Sequence, residues 1–505
     1  MALFARRNYI SLMTSCSLRE TEYAKSNGFV IIKGRIEKDK TDESIIIRRS
    51  FECHHGRIRK SKKKKKINSS LIRCIFLIRD QNGQSGIIGW ITYKIFIWPF
   101  YISPLRKFPG PPSESSLYGN LKTLMTEESG VPQLRWIKKY GNVIKYHGLF
   151  NNPILLIADT KLVQEITLNK AYDFIKPLNA SGISLIGRGL IYAEGDDHKR
   201  QRKLSNPAFT YSVVKEMVPS FVHIGSTLKG LIEEKLNSGE TNINLTPYIS
   251  KATLDVIGLV GFNYEFNSLT SQNELAIAYD SIFNNPVTTL RIVLNLLSNY
   301  VPSIMTFLFA GHETTSISTC WALYSLAQHP HEQDLLREEL VKAFPDKSKF
   351  NPTYDEINSL EYLNCIVKES LRLNSPASNI RRINLKDKVL GNYFIPKNTE
   401  ISLSISTIHK LPEIWGPTAD DFDPKRWLDP SLVNNISNLN YLPFYNGPRN
   451  CIGSEVALTE FKILLGILIR NFVFKPIEGF HIRKRAFPAP KPDPYLGLAV
   501  SIVES

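Results

Sequence analysis

Ten consecutive residues concentrate unusual chemistry: Phe444-Tyr445-Asn446-Gly447-Pro448-Arg449-Asn450-Cys451-Ile452-Gly453, which fits the spacing F-x-x-G-x-R-x-C-x-G. Each fixed residue type has a use around an iron porphyrin. A thiolate from Cys451 can bind iron axially and push electron density onto it, which favours O–O cleavage. Arg449 can pair with a porphyrin propionate through its fork of donors. Gly447 and Gly453 let the backbone turn tightly and approach a flat ring. Phe444 can pack near the thiolate and exclude water. The plainer alternative is a buried structural cysteine on a loop, and five fixed positions in ten argue against it.

On these residues the sequence resembles the cytochrome P-450 family of haem-thiolate monooxygenases, over a span from about Pro104 to Lys491. Glu369-Ser370-Leu371-Arg372 is similar to that family's E-x-x-R. Residues at i and i+3 of a helix face the same way, so a local ion pair is natural. The segment Phe422-Asp423-Pro424-Lys425-Arg426-Trp427 resembles the one that supplies the third partner, Arg426. The resemblance gives Glu369, Arg372 and Arg426 structural roles. It places a propionate-binding arginine at Arg382, in preference to Arg381. Ala310-Gly311-His312-Glu313-Thr314-Thr315 resembles the family's oxygen groove. Glycine weakens the helix, and a threonine hydroxyl can bond a carbonyl of the preceding turn. Glu313 and Thr314 then form an acid–alcohol pair able to relay protons. The segment from Glu194 to Arg202 is similar to the family's W-x-x-x-R helix, with Arg202 as a propionate partner. His198 replaces the usual tryptophan, and its ring N–H can still donate to a propionate.

The resemblance implies haem b (iron protoporphyrin IX) as cofactor and insertion of one oxygen atom from O2 into an apolar small molecule. The chain has no G-x-G-x-x-G dinucleotide fingerprint and no flavin domain, so NADPH would serve only through a separate reductase. Electron-transfer contacts are small and electrostatically steered, so the docking face is expected to be basic. The alternative reading is a truncated haem-binding protein without efficient monooxygenase activity.

That alternative comes from spacing. His198 and Thr314 are separated by 116 residues, several tens fewer than the family pattern implies. Pro302 disfavours helix on its N-terminal side, so the groove helix should start there. The groove would then lie only two turns in, with an apparent internal deletion of the helices that roof the substrate pocket.

The elements that must position these residues are mostly helical. Ser303 to Gln328 reads as an apolar helix between Pro302 and Pro330. Glu332 to Ala343 and Ser359 to Leu373 read as amphipathic helices, and Gly453 to Phe472 as the last helix. Val143–His147 and Ile154–Ala158 read as a hairpin. Further short strands are expected around Ile383, Leu390–Ile395 and Glu400–Ile405. The fold class expected is mainly α with a minor β-sheet, in one large domain over 105–505.

The chain carries 63 basic and 47 acidic residues, net +16, but residues 1–84 alone hold 20 basic and 8 acidic ones. The excess is therefore N-terminal, and the bulk of the chain gives no reason to expect nucleic acid. We read 1–84, with its Lys62–Lys66 run, as a disordered basic extension. Cys53-His54-His55 cannot all face one ion from regular backbone and is discounted as a metal site. Six cysteines without C-x-x-C spacing exclude zinc fingers and disulfide frameworks. Residues 85–104 contain Gly86 to Ile102, an aromatic-rich 17-residue stretch followed by Pro109-Gly110-Pro111-Pro112, and read as a membrane anchor. This predicts an endoplasmic reticulum location with the catalytic domain facing the cytoplasm. The positive charge of the extension opposes translocation, so either it is absent from the working protein or the anchor dips into one leaflet without crossing.

Overall fold

The computed structural model describes residues 89–177, 189–271, 274, 277, 302–346, 349–485 and 489–503, with four short strands between 31 and 53. Contacts divide the chain into a unit 1–87 and a unit 88–505. In the first, β1 (Ile31–Ile32) pairs with β4 (Glu52–Cys53), and β2 (Ile36–Lys38) with β3 (Ile46–Arg49). The Lys62–Lys66 run and the histidines 54 and 55 lie outside the described residues.

The second unit holds one sheet layer and one helical body. Its main sheet has the order β5 (Val143–His147), β6 (Pro153–Ile157), β12 (Glu400–Ser404), β9 (Asn379–Asn384), β7 (Phe174–Ile175). The β5–β6 hairpin is antiparallel and β6 runs parallel to β12. All five β6 residues are buried, which is why this segment is an unbroken apolar run. The stretch 388–395 forms two strands, β10 (Lys388–Leu390) and β11 (Tyr393–Ile395), hinged at Gly391. A smaller sheet joins β13 (Phe472–Pro476), β16 (Gly497–Ile502) and β8 (Asn242–Asn244). The pair β14 (Arg483–Lys484) and β15 (Pro492–Asp493) completes the strands.

We label the longer helices α1 (Val131–Tyr140), α2 (Gly195–Ser205), α3 (Tyr211–Asn237), α4 (Thr246–Phe262), α5 (Pro302–Gln328), α6 (Pro330–Ala343), α7 (Glu361–Leu373) and α8 (Ser454–Asn471). The described part of helix α5 runs from Pro302, and the groove residues follow two turns later. It runs through the core, with Ile317, Cys320, Trp321, Leu323 and Leu326 buried. Helices α3, α4, α7 and α8 pack in the same apolar cluster, joined by Phe221, Ile249, Leu363 and Phe461. The expected fold class thus holds for this unit.

For the expected anchor the described residues show no spanning helix. Helical turns cover 89–102, and no helix among the described residues is long and apolar enough to cross a membrane. Fourteen residues at 1.5 Å rise reach only about 21 Å, against a hydrocarbon core of about 30 Å. From Tyr93 to Ile102 this helix takes a wider register, in which Ser103 N–H donates to the Trp98 carbonyl at 2.7 Å, and Pro99 within it lacks an amide hydrogen. The helix also leans on the folded unit: Phe100 lies 5.2 Å from His147, and Asn151 Nδ2 donates to the Ile95 carbonyl at 3.1 Å. Residues 85–88 of the expected anchor lie outside the described residues.

Candidate functional site

A cavity of about 300 Å³ gathers three sets of residues that are far apart in sequence. The first is the loop before α8, contributing Phe444, Tyr445, Arg449, Cys451 and Gly453. The second is α5 with α4, contributing Val256, Ile257, Phe307, Ala310, Gly311 and Thr314. The third is a basic edge of Lys176, His198 and Arg202.

The loop is shaped around Cys451. The Cys451 N–H donates to the Phe444 carbonyl at 2.9 Å, closing the turn. Gly447 has φ +69°, and a Cβ there would lie 2.3 Å from the Thr167 carbonyl oxygen, so only glycine fits. Gly447 thus shapes the loop from behind rather than lining the cavity. The Cys451 side chain opens onto the cavity while protein surrounds it otherwise. That enclosure pushes its thiol pKa up, and the Gly453 N–H and Arg202 pull the other way. A coordinated metal ion would deprotonate such a thiol outright.

Behind the loop the family-type triad is complete. Glu369 accepts from Arg372 at 2.8 Å through both Nε and a terminal nitrogen, and from Arg426 Nε at 2.9 Å. Trp427 Nε1 and the Asp423 N–H each donate to it at 3.0 Å. Arg372 spends its other donors on the carbonyls of His409 and Ala419. His409 links this cluster to the loop: Nδ1 bonds the Arg372 carbonyl at 3.0 Å, and Nε2 accepts from the Leu442 N–H at 2.8 Å. Burial and Arg372 push its pKa down to about 3, so it stays neutral with that tautomer.

The basic edge crowds cations together. Arg449 donates to Glu194 and to the Ala193 carbonyl, and its buried Nε has no partner among the described residues. Arg202 donates to the carbonyl and, at 2.8 Å, to the side chain of Asn450. Arg382 is buried one layer back, its guanidinium 5.1 Å from the Tyr445 ring. Burial, then Arg449, Lys176, Arg202 and Arg382, push His198 down to about 4, so its ring is neutral. Its Nδ1 lies 3.1 Å from the Tyr172 hydroxyl. With that hydroxyl as donor, Nε2 carries the proton, as the sequence reading requires.

Lys176 is the residue that sequence reasoning missed. Burial, Arg382 and Arg449 push its pKa down to about 7. It sits alone before Pro177 in no recognisable spacing, so only the fold brings it here. Glu194, quoted as the start of the α2 segment, is likewise revealed as a carboxylate of this cluster, paired with Arg449.

On α5, the Thr314 hydroxyl donates to the Ala310 carbonyl at 2.7 Å, and Ser318 repeats the pattern to Thr314 at 2.9 Å. Such back-bonds bend helices. Gly311 has a second use: a Cβ there would lie 2.8 Å from Ile257 Cδ1, so the glycine lets α4 approach α5. Glu313 does not line the cavity. Its carboxylate lies 2.8 Å from Lys491 Nζ.

These residues fit a haem. A cysteine sulfur faces one cavity with apolar walls, a cationic edge suits two propionates, and a buried arginine N–H lacks an acceptor. Cys451 would bind the iron, and Arg202, Arg449, His198 and Lys176 the propionates, with Arg382 supporting them.

The sequence profile described as Cytochrome P450 matches residues 109–303 and 297–488. The two matches overlap at residues 297–303, beside Pro302. Cytochrome P450 monooxygenase sphH of Aspergillus fumigatus is 30% identical over 487 aligned positions, covering 80% of this chain and 90% of that protein. Since 487 exceeds the part of this chain that takes part, that relative contains stretches without a counterpart here. Cytochrome P450 monooxygenase 205 of Postia placenta is 31% identical, covering 77% of this chain and 91% of that protein. With the thiolate loop, the buried triad and the groove helix in one fold, the chain belongs to the cytochrome P450 family and is an oxygen-incorporating oxidoreductase.

Proposed function

We propose that this haem-thiolate monooxygenase inserts one oxygen atom into an apolar small molecule, with electrons from a separate NADPH-dependent reductase. The observation that carries the substrate class is the lining of the cavity. Phe209, Val256, Ile257 and Phe307 face the space beside Thr314, and apolar walls favour an apolar ligand by about 25 cal/mol per Å² of surface removed from water.

Haem b, when bound, supplies the redox chemistry of oxygen activation. The chain supplies the rest. Cys451 would hold the iron through its sulfur, which opens onto the cavity. The basic edge fixes the macrocycle by its carboxylates. Thr314 holds a hydroxyl at the cavity wall that can accept and pass a proton. Glu313 would take up a proton from outside, which loosens its pair with Lys491, pass the proton toward Thr314, and pair with Lys491 again as a carboxylate.

The test is reconstitution. The purified protein is given reductase and NADPH, and the ferrous–carbon monoxide spectrum and NADPH consumption are recorded. A red-shifted thiolate band with product formed from an apolar substrate supports the reading. The same band with no turnover over a broad apolar panel overturns it and leaves a haem-binding protein.

For location we propose the cytoplasmic face of the endoplasmic reticulum, with helix 89–102 dipping into one leaflet. The support is its apolar surface: Trp90, Ile91, Phe96 and Tyr101 are exposed. Extraction by carbonate wash is the expected behaviour; retention in the pellet would overturn it.

A further inference from the structure

A second cavity, of about 570 Å³, lies between α1, the end of α7 and the β14–β15 pair, and shares no lining residue with the haem site. Its lining holds five basic side chains, Arg135, Lys138, Lys139, Lys410 and Lys484, against one carboxylate, Asp420. Arg135 is neutralised by Glu127 at 2.8 Å, and Lys138 reaches Asp420 at 3.3 Å. Lys484 donates to the Leu373 carbonyl and to Asn374, both uncharged. Lys410 Nζ has no hydrogen-bond or ion-pair partner among the described residues.

Two hydroxyls in the same wall are also unsatisfied. Ser375 and Ser406 are 3% and 9% exposed, and neither Oγ has a partner among the described residues. A hydroxyl turns about one bond, so either can present its proton to a ligand in the cavity. Such orphaned buried groups call for an explanation. Val131, Leu134, Leu373 and Pro490 supply an apolar wall beside these groups.

We propose that this cavity binds a phosphate group carried on an apolar body. The charge count favours phosphate over a carboxylate, because several oxygens and nearly two negative charges match two lysines and two hydroxyls. The apolar wall and the volume favour an ester over the free ion. Burial lowers the Lys410 pKa, aided by Arg372 and Lys138 and opposed by Asp420, and burial with Lys410 lowers Lys484 to about 7. Glu128 raises both only partly. With five basic side chains and one carboxylate in its lining, the cavity is short of negative charge.

Lys484 carries its own reporter. Its Nζ lies 5.2 Å from the Trp321 ring, and Trp321 Nε1 donates to the Pro490 carbonyl. A ligand that draws Lys484 away should change Trp321 emission.

The experiment titrates the full-length haem-loaded chain with inorganic phosphate, with dihexanoyl phosphatidic acid, and with phosphatidylcholine vesicles with or without phosphatidic acid. Calorimetry and tryptophan emission are read together, and Trp321→Phe assigns the emission change. Saturable binding is expected, weakened about tenfold by Lys410→Ala, as loss of one charge-assisted hydrogen bond implies. Ser375→Ala with Ser406→Ala should weaken it further. Lys138→Gln, a surface change, should weaken it in protein whose carbon monoxide spectrum is unaltered. Preference for the soluble ester over phosphate without preference for acidic vesicles identifies a soluble phosphomonoester as source, whereas equal binding of phosphate and ester overturns the apolar body. Preference for the ester and for acidic vesicles identifies a lipid headgroup. No saturable binding of any probe, or Lys410→Ala and Lys138→Gln binding like the parent, overturns the proposal.

Discussion

Glu313 of the groove helix and Lys491, the residue before β15, are joined by an ion pair of 2.8 Å that closes the helix against the C-terminal strands. It splits the acid–alcohol pair expected from sequence: Thr314 lines the cavity while its neighbour faces away. Glu313→Gln should therefore keep haem and its spectrum, yet slow product formation by about a hundredfold if it is the proton source. Thr314→Ala should divert NADPH to peroxide. Product yield per NADPH, measured beside peroxide, checks both. Parent-like yield in both variants would remove the relay from these residues.

Glu369 is fully buried between Arg372 and Arg426. Glu369→Ala leaves two guanidiniums in the core without their acceptor, at a cost of about 3–5 kcal/mol. The expected outcome is loss of folded, haem-loaded protein. Arg426→Lys keeps the charge but loses the fork that also reaches the Trp415 and Thr418 carbonyls. It should give a milder fall in melting temperature, read by calorimetry.

Cys451→Ser should abolish the red-shifted carbon monoxide band, since a neutral hydroxyl is a poor axial donor. An unchanged band would remove Cys451 as the ligand.

Spacing made the thiolate loop, the triad and the groove helix legible, because each is a short local pattern whose residue types have one joint use. Helix ends followed Pro302 and Pro330 closely, since proline acts on its own neighbours. Lys176 and Lys491 were not legible. Each is a lone lysine whose meaning comes from residues brought near by the fold, and no local periodicity marks that. The 86–102 stretch misled for a related reason. Its apolar composition suggested a span, but the helix widens from Tyr93 onward and is too short to cross, and part of its surface packs on the folded unit through Phe100 and His147.

Removing residues 1–87 should leave the folded unit intact, because that cut falls at the boundary between the two units. Removing 1–104 should not be equivalent. It strips buried Pro99 and Ser103 and leaves Asn151 without the Ile95 carbonyl. An unsatisfied buried donor costs about 1–3 kcal/mol, so the shorter form should melt earlier. Equal melting temperatures would show that helix 89–102 contributes nothing to the fold.

Haem affinity should depend on pH through Lys176. In the haem-free chain its pKa is about 7, against 10.5 for an ordinary lysine, because it is buried beside Arg382 and Arg449. Two propionates placed at this edge add negative charge and raise that pKa. A group whose pKa rises on binding contributes affinity that is complete below its free value and is lost as pH climbs through the bound value. Haem binding should therefore take up a proton at pH 8 and weaken from about pH 7 upward. Lys176→Met should flatten that dependence above pH 7 and remove the uptake, while leaving the thiolate band in place. Haem titrations from pH 6.5 to 9.5 in two buffers of different ionisation enthalpy measure both quantities. A parent affinity that stays level over that range, or a Lys176→Met profile that still falls, would exclude Lys176 from the propionate edge.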